Sequence, residues 1–185
     1  MKALILSRGG HGTRLRPLTY SQQKQLIPVA NKPVLFYAIE DVIEAGIHDI
    51  GIIVGPNAEQ VKKTVLSRDW DARIEFIYQG EPKGLAHAIL VARDYLGDDD
   101  FVMYLGDNIL REGIVEHLEH FKEGNFDASI LLCEVPPNPP GSSGGSQRLV
   151  RTGRPYVAWL RNRRCRRATW PWSGSTSSNP SSTRR

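Results

Sequence analysis

Cysteine is scarce in this chain of 185 residues: Cys133 and Cys165 alone form neither a disulfide framework nor a metal-ligand spacing, so a reducing, cytoplasmic setting is expected. No apolar run approaches the roughly 18–20 residues of a membrane span. The apolar opening from Met1 to Leu6 breaks at Ser7-Arg8-Gly9-Gly10, short of the roughly 7–15 residue core of a secretory leader. Acid is missing from one whole region. Residues 1–134 hold 14 Lys and Arg against all 20 Asp and Glu, a net of −6, whereas residues 135–185 hold ten Arg, no Lys and no acid, a net of +10. The overall +4, which looks like a hint of nucleic-acid binding, is therefore an average over two unlike segments. An apolar share of 40% with mixed charge also excludes a collagen, a coiled coil and a wholly disordered chain.

The acidic segment alternates short apolar runs with helical stripes. Strands are predicted at 3–6, 50–54, 74–78, 101–105 and 128–132. Between them, Pro33 suits a helix start, and Val34, Leu35, Ala38, Ile39, Val42 and Ile43 form a stripe that ends before Gly46. Asn57, with Gln60 three residues on, reads as a capping box ahead of Val61 and Val65. Further helices are predicted at 85–96 and 114–121. Strands separated by helices of this length form βαβ units, so the expected fold is α/β: a Rossmann-like three-layer domain with a mostly parallel sheet. Its ligands would sit beyond the carboxyl ends of the strands. The domain is expected over 1–135. Residues 136–185, rich in Pro, Gly, Ser and Arg, are expected to be a disordered basic tail.

Three strand ends carry chemistry. The first is Gly9-Gly10-His11-Gly12-Thr13-Arg14-Leu15-Arg16-Pro17, where glycines let backbone amides approach an anion and Arg14 adds a forked cation. Leu15 stands where a dinucleotide fingerprint needs its third glycine, and no Gly-Lys-Ser/Thr closes a Walker loop. The second is Gln79-Gly80-Glu81-Pro82-Lys83-Gly84, whose amide can donate and accept together along the edge of a pyrimidine, with His87 packing or capping nearby. The third is Gly106-Asp107-Asn108, a carboxylate placed where a phosphate-bound Mg²⁺ could be held. His117 and His120 share a helical face but read as a solvated pair, lacking a carboxylate partner.

Taken in order with Lys24-Gln25-Leu26-Ile27-Pro28-Val29 and Asn31-Lys32-Pro33, these motifs resemble the sugar-phosphate nucleotidyltransferases across about residues 1–135. The Lys-Gln-Leu-Ile-Pro run is most similar to members that transfer a thymidylyl group to glucose 1-phosphate. The resemblance implies transfer of dTMP or UMP from dTTP or UTP to a sugar 1-phosphate, releasing pyrophosphate. It also implies roles. The backbone from Leu6 through Gly9, Gly10 and Gly12 would embrace the nucleotide, and Gln25, Gln79 and Gly84 would surround base and ribose. Arg14 would hold the pyrophosphate part, Lys24 the α-phosphate and Asp107 the Mg²⁺. In-line attack at the α-phosphorus needs positioning and charge stabilisation, with no covalent protein nucleophile. A homo-oligomer is compatible with the resemblance.

Two departures from the family pattern are expected to matter. Ser7 and Arg8 both stand between Leu6 and Gly9, one residue more than the family places there, which predicts a bulge or a register shift. A lesser difference is Gln23 before Lys24, where many members have proline, and the second departure is the tail. The family's second half, with a Glu-Lys-Pro motif and a second metal-binding aspartate, is not visible after 135. Thr169-Trp170-Pro171-Trp172 must be encoded ACN-TGG-CCN-TGG, and reading from each third base gives NTG-GCC-NTG, apolar codons throughout. The tail is therefore expected to be a frameshifted translation from about Pro136. Two other readings follow: a catalytically incomplete nucleotide-binding fragment, or an Arg-rich nucleic-acid-binding protein whose tail adds Trp and Tyr for stacking.

Overall fold

The computed structural model describes residues 1–8, 15–81, 83–124 and 126–131, and the backbone of Val157–Leu160. In chain order the elements are β1 (Lys2–Leu6), two 3-10 turns (Leu18–Tyr20 and Lys24–Leu26), β2 (Pro28–Val29), β3 (Lys32–Pro33), α1 (Val34–Glu44), β4 (Asp49–Val54) and α2 (Ala58–Val65). Then come β5 (Arg73–Tyr78), α3 (Leu85–Val91), α4 (Arg93–Leu96), β6 (Phe101–Leu105), α5 (Val115–Glu123), β7 (Ala128–Leu131) and β8 (Val157–Leu160).

The main sheet has the order β5-β4-β1-β6-β8-β7. β1 pairs in parallel with both β4 and β6, and β4 with β5, whereas β8 runs antiparallel to β6 and β7. The chain thus steps outward from β1 to β5, then returns to the other side of β1. Such a reversal opens a crevice at the carboxyl ends of the strands on either side of it. Side-chain alternation assigns the two faces. Ala3, Ile5, Ile50, Ile52, Val102 and Tyr104 pack with α1, α2 and α5, while Leu4, Leu6, Ile53 and Met103 pack with Ala88, Ala92 and Leu96. The core is apolar on both sides of the central strands, as a parallel sheet requires.

Several expectations shift in detail. Pro33 pairs with Pro28 in a two-residue ladder, so α1 begins one residue later, at Val34. Asn57 makes no side-chain cap to α2, because Gln60 Nε2 donates instead to the Ser21 carbonyl, 3.1 Å away. Gln23 Nε2 donates to the Asn57 carbonyl at 3.0 Å, so the predicted capping box gives way to ties with the loop before Lys24. The helix expected over 85–96 divides at Ala92, whose φ of −85° and ψ of 5° leave the helical path. Residues Val157–Leu160, from the segment expected to be a tail, form a strand inserted between β6 and β7. The rest of 136–185 lies outside the described residues, and so does Leu132.

Candidate active site

The carboxyl ends of β1 and β6 lie side by side. Gly106 N donates to the Leu6 carbonyl at 3.0 Å, and a Cβ at Gly106 would stand 3.1 Å from that oxygen and 3.0 Å from Leu35. The turn after β6 can hug β1 this closely because residue 106 has no side chain. Asp107 follows. The 3-10 turn Lys24–Leu26 brings its first residue to the same place, and Lys24 Nζ donates to Asp107 Oδ2 in an ion pair of two half-buried side chains. Two groups 83 residues apart in sequence thus meet where the sheet topology opens its crevice.

Gln25, next to Lys24, is turned inward and only 2% exposed, and its Nε2 is buried with no hydrogen-bond partner among the described residues. Buried amide groups left unpaired cost free energy, so such a donor marks a place where a ligand acceptor fits. Gln79 is likewise buried, at 4% exposure. Its backbone N–H continues the sheet by donating to the Val54 carbonyl at 2.9 Å, and its Nε2 lies 2.9 Å from His87 Nδ1 on α3. Gly84 precedes α3 with φ +96° and open space around its Cα, a left-handed conformation that favours glycine.

Leu6 is buried at the end of β1. Ser7 N donates to the Ile53 carbonyl at 3.0 Å, so the β1 ladder runs on through Ser7 without a bulge. Ser7 Oγ and Arg8 Nη1 are both buried without a partner among the described residues. The extra residue of the motif, Arg8, lays its side chain against Gly55: a Cβ there would be 2.6 Å from Arg8 Nε. Gly9, Gly10, Gly12 and Arg14 lie outside the described residues. Among the ten sequence-predicted residues, then, Lys24 and Asp107 are brought into contact, Gln25 adjoins them in the chain, and Gln79 and Gly84 flank the β5–α3 connection. The Arg8 placement was not foreseen from the motif; the added residue between Leu6 and Gly9 was the signal for it.

Other candidates fall elsewhere. A polar cleft of about 400 Å³ runs between Thr19–Gln22 and Pro56–Gln60, and none of the described candidate residues lines it. The His120 ring packs against Phe126, with centroids 5.5 Å apart. No group of three or more His, Cys, Asp and Glu side chains able to hold a metal occurs among the described residues. Among them, too, no helix is long and apolar enough to cross a membrane.

A family model described as nucleotidyl transferase matches residues 2–145. The chain belongs to that family. A low-salt glycan biosynthesis nucleotidyltransferase of Haloferax volcanii, Agl11, is 55% identical over 137 residues, covering 73% of this chain and 38% of its own. A glucose-1-phosphate thymidylyltransferase of Streptomyces antibioticus is 50% identical over 142 residues, covering 76% of this chain and 40% of its own. A solved UDP-glucose pyrophosphorylase from Acinetobacter baumanii superposes with a TM-score of 0.60 at 24% identity, over 71% of this chain and 55% of its own, a likeness of fold. This nucleotidyl transferase chain spans about two fifths of the length of these curated relatives.

Proposed function

We propose that this chain is the nucleotide-binding part of a sugar-phosphate nucleotidyltransferase that transfers dTMP, or UMP, from dTTP or UTP to glucose 1-phosphate. The observation that carries this reading is the meeting of Lys24 with Asp107 at the crevice between β1 and β6; the next residue, Gln25, carries a buried amide with no partner among the described residues. A lysine and a carboxylate side by side supply one charge of each sign, and a nucleoside triphosphate with its divalent cation needs both. The relatives' names, a thymidylyltransferase and a UTP–glucose-1-phosphate uridylyltransferase among them, support the substrate class.

In this reading a phosphate oxygen of the sugar 1-phosphate attacks the α-phosphorus as the bond to the β-phosphate's bridging oxygen breaks, and pyrophosphate leaves. Lys24 would hold the α-phosphate, exchanging Asp107 for a phosphate oxygen as its partner. Arg14 would hold the pyrophosphate part, and the backbone of Leu6, Gly9, Gly10 and Gly12 would follow the nucleotide. Gln25, Gln79 and Gly84 would surround base and ribose. Asp107 suits Mg²⁺: it is a hard oxygen donor, partly open to solvent, and Mg²⁺ is commonly held by one or two carboxylates with phosphate oxygens and water completing its shell. The bound ion would offset charge on the triphosphate. All of these are contributions of position and charge, and such a displacement needs nothing more from the protein.

The test is equilibrium binding of dTTP with and without Mg²⁺. Asp107→Asn keeps the shape and removes the charge, so the Mg²⁺-dependent part of binding should weaken by about tenfold or more; unchanged Mg²⁺ dependence would overturn the assignment. The two-fifths span of the relatives favours one second reading, a chain that binds nucleotide without completing transfer. Pyrophosphate release from dTTP plus glucose 1-phosphate separates the two.

A further inference from the structure

Gln79 meets His87 through its amide nitrogen, 2.9 Å from Nδ1, in a region where Gln79 itself is buried. A glutamine amide has two faces of opposite character, a carbonyl that only accepts and an NH₂ that only donates. Which one points at a ligand depends on what holds the other end. The imidazole Nδ1 that faces Gln79 accepts when the ring carries its proton on Nε2. In that tautomer the NH₂ is engaged there, and the carbonyl and the second N–H are left side by side in a fixed order. Turning the amide over would set its carbonyl oxygen against the Nδ1 lone pair, two acceptors with no proton between them.

That order has a chemical consequence. Thymine and uracil present a donor at N3 flanked by acceptor oxygens, whereas cytosine presents an acceptor at N3 and a donor amino group at C4. An amide ordered for the first pattern opposes the second at both positions. We propose that His87 is a positioning residue for base selection: it orients the Gln79 amide so that thymine or uracil is accepted and cytosine refused. The proposal rests on the reading of Gln79 as a base-contacting side chain. It adds to that reading the group that fixes the amide's sense.

The experiment is calorimetric titration of the full 185-residue chain with dTTP and with dCTP at constant Mg²⁺. The parent should prefer dTTP by about tenfold or more, as expected when a wrong base leaves buried amide groups unpaired. In His87→Leu the ratio should fall toward one, and in His87→Glu, whose ionised carboxylate only accepts, it should recover. His87→Lys offers only donors, so it should turn the Gln79 carbonyl inward and bring the ratio to or below one; this variant also serves where the leucine variant does not fold. A purely packing role for His87 would weaken dTTP and dCTP by the same factor. An unchanged ratio in both the Leu and Lys variants therefore overturns the proposal. Failure of the parent to bind dTTP, or a parent-like preference in Gln79→Leu, would instead overturn the underlying reading of Gln79.

Discussion

Tyr104 on β6 and Asp41 on α1 meet in a partly buried contact. The Tyr104 hydroxyl donates to Asp41 Oδ2 at 2.7 Å. Burial raises the Tyr104 phenol well above its usual range, with Asp41 adding to the effect, and burial also raises Asp41 despite the phenol's donation. An acid raised by folding costs stability as pH climbs from its ordinary value of 3.8 through its folded one. Tyr104→Phe removes the donor that moderates this, so it should cost about 1–3 kcal/mol, more at pH 7 than at pH 4, as read from urea midpoints. Two glycines make a second, contrasting test. A Cβ at Gly51 would fall 2.7 Å from Tyr95 Cε1 and 3.0 Å from Ile77 Cδ1, and the Tyr95 hydroxyl is tied to Asp49 at 3.2 Å. Gly51→Ala should therefore cost about 1–3 kcal/mol. At Gly55 the obstacle is the Arg8 side chain, which has several rotatable bonds and can move aside. Gly55→Ala should lower the urea midpoint less than Gly51→Ala does, and a loss as large as that of Gly51→Ala would mean that Arg8 is rigidly held.

At the scale of elements, Glu40 on α1 ties together parts of the chain that are distant in sequence. It accepts from Lys32 of β3 and, at 2.6 Å, from Arg68 in the loop ahead of β5; Arg68 in turn lies 4.6 Å over the Trp70 ring. Burial alone would raise the Glu40 carboxyl, but the hydrogen bonds and charges of Lys32 and Arg68 outweigh it and lower the value below 4.5. The contribution to stability is present above that ordinary value and is lost as pH falls through the lower, folded one. Glu40→Gln should thus melt below the parent at pH 7, and the difference should close in acid, as followed by thermal denaturation across pH. The elements themselves were largely legible in the sequence. Of the α1 stripe, Val34, Leu35, Ala38, Ile39 and Val42 are buried and Ile43 partly so, because periodicity reports which side of a helix meets the core. Missed features depend on partners that periodicity cannot see. Asn57 and Gln60 bond to the 21–23 loop in place of a local cap, and the helical stripe at 85–96 gives no sign of the break at Ala92. The same holds for the site: Lys24, Gln25, Gln79 and Asp107 could be named from their motifs, but the Lys24–Asp107 pairing exists only because β1 and β6 are neighbours.

For the molecule as a whole, the sheet is completed by a strand from the segment whose composition promised none. Within it Ala158 pairs with Met103 on one side and Ile130 on the other. Proline is not tolerated inside a doubly paired strand, where its missing N–H breaks a ladder bond and its ring crowds the neighbour. Ala158→Pro should lower stability by about 1–3 kcal/mol and raise hydrogen exchange in β7 more than in β4, and equal protection of β7 in the variant and the parent would show that β8 does not hold it. The same arrangement imposes a timetable on synthesis. β1, β4, β5 and β6 pair with one another and can assemble while the remainder of the chain is still on the ribosome. β7 emerges next, and its partner among the described residues is β8, which is translated 26 residues after the end of β7 at Leu131. During that interval β6 presents a bare edge, the kind of surface on which nascent chains associate with one another. A translational pause between codons 131 and 157 would prolong that exposure, so slow codons there should lower the soluble yield without altering a single residue of the protein.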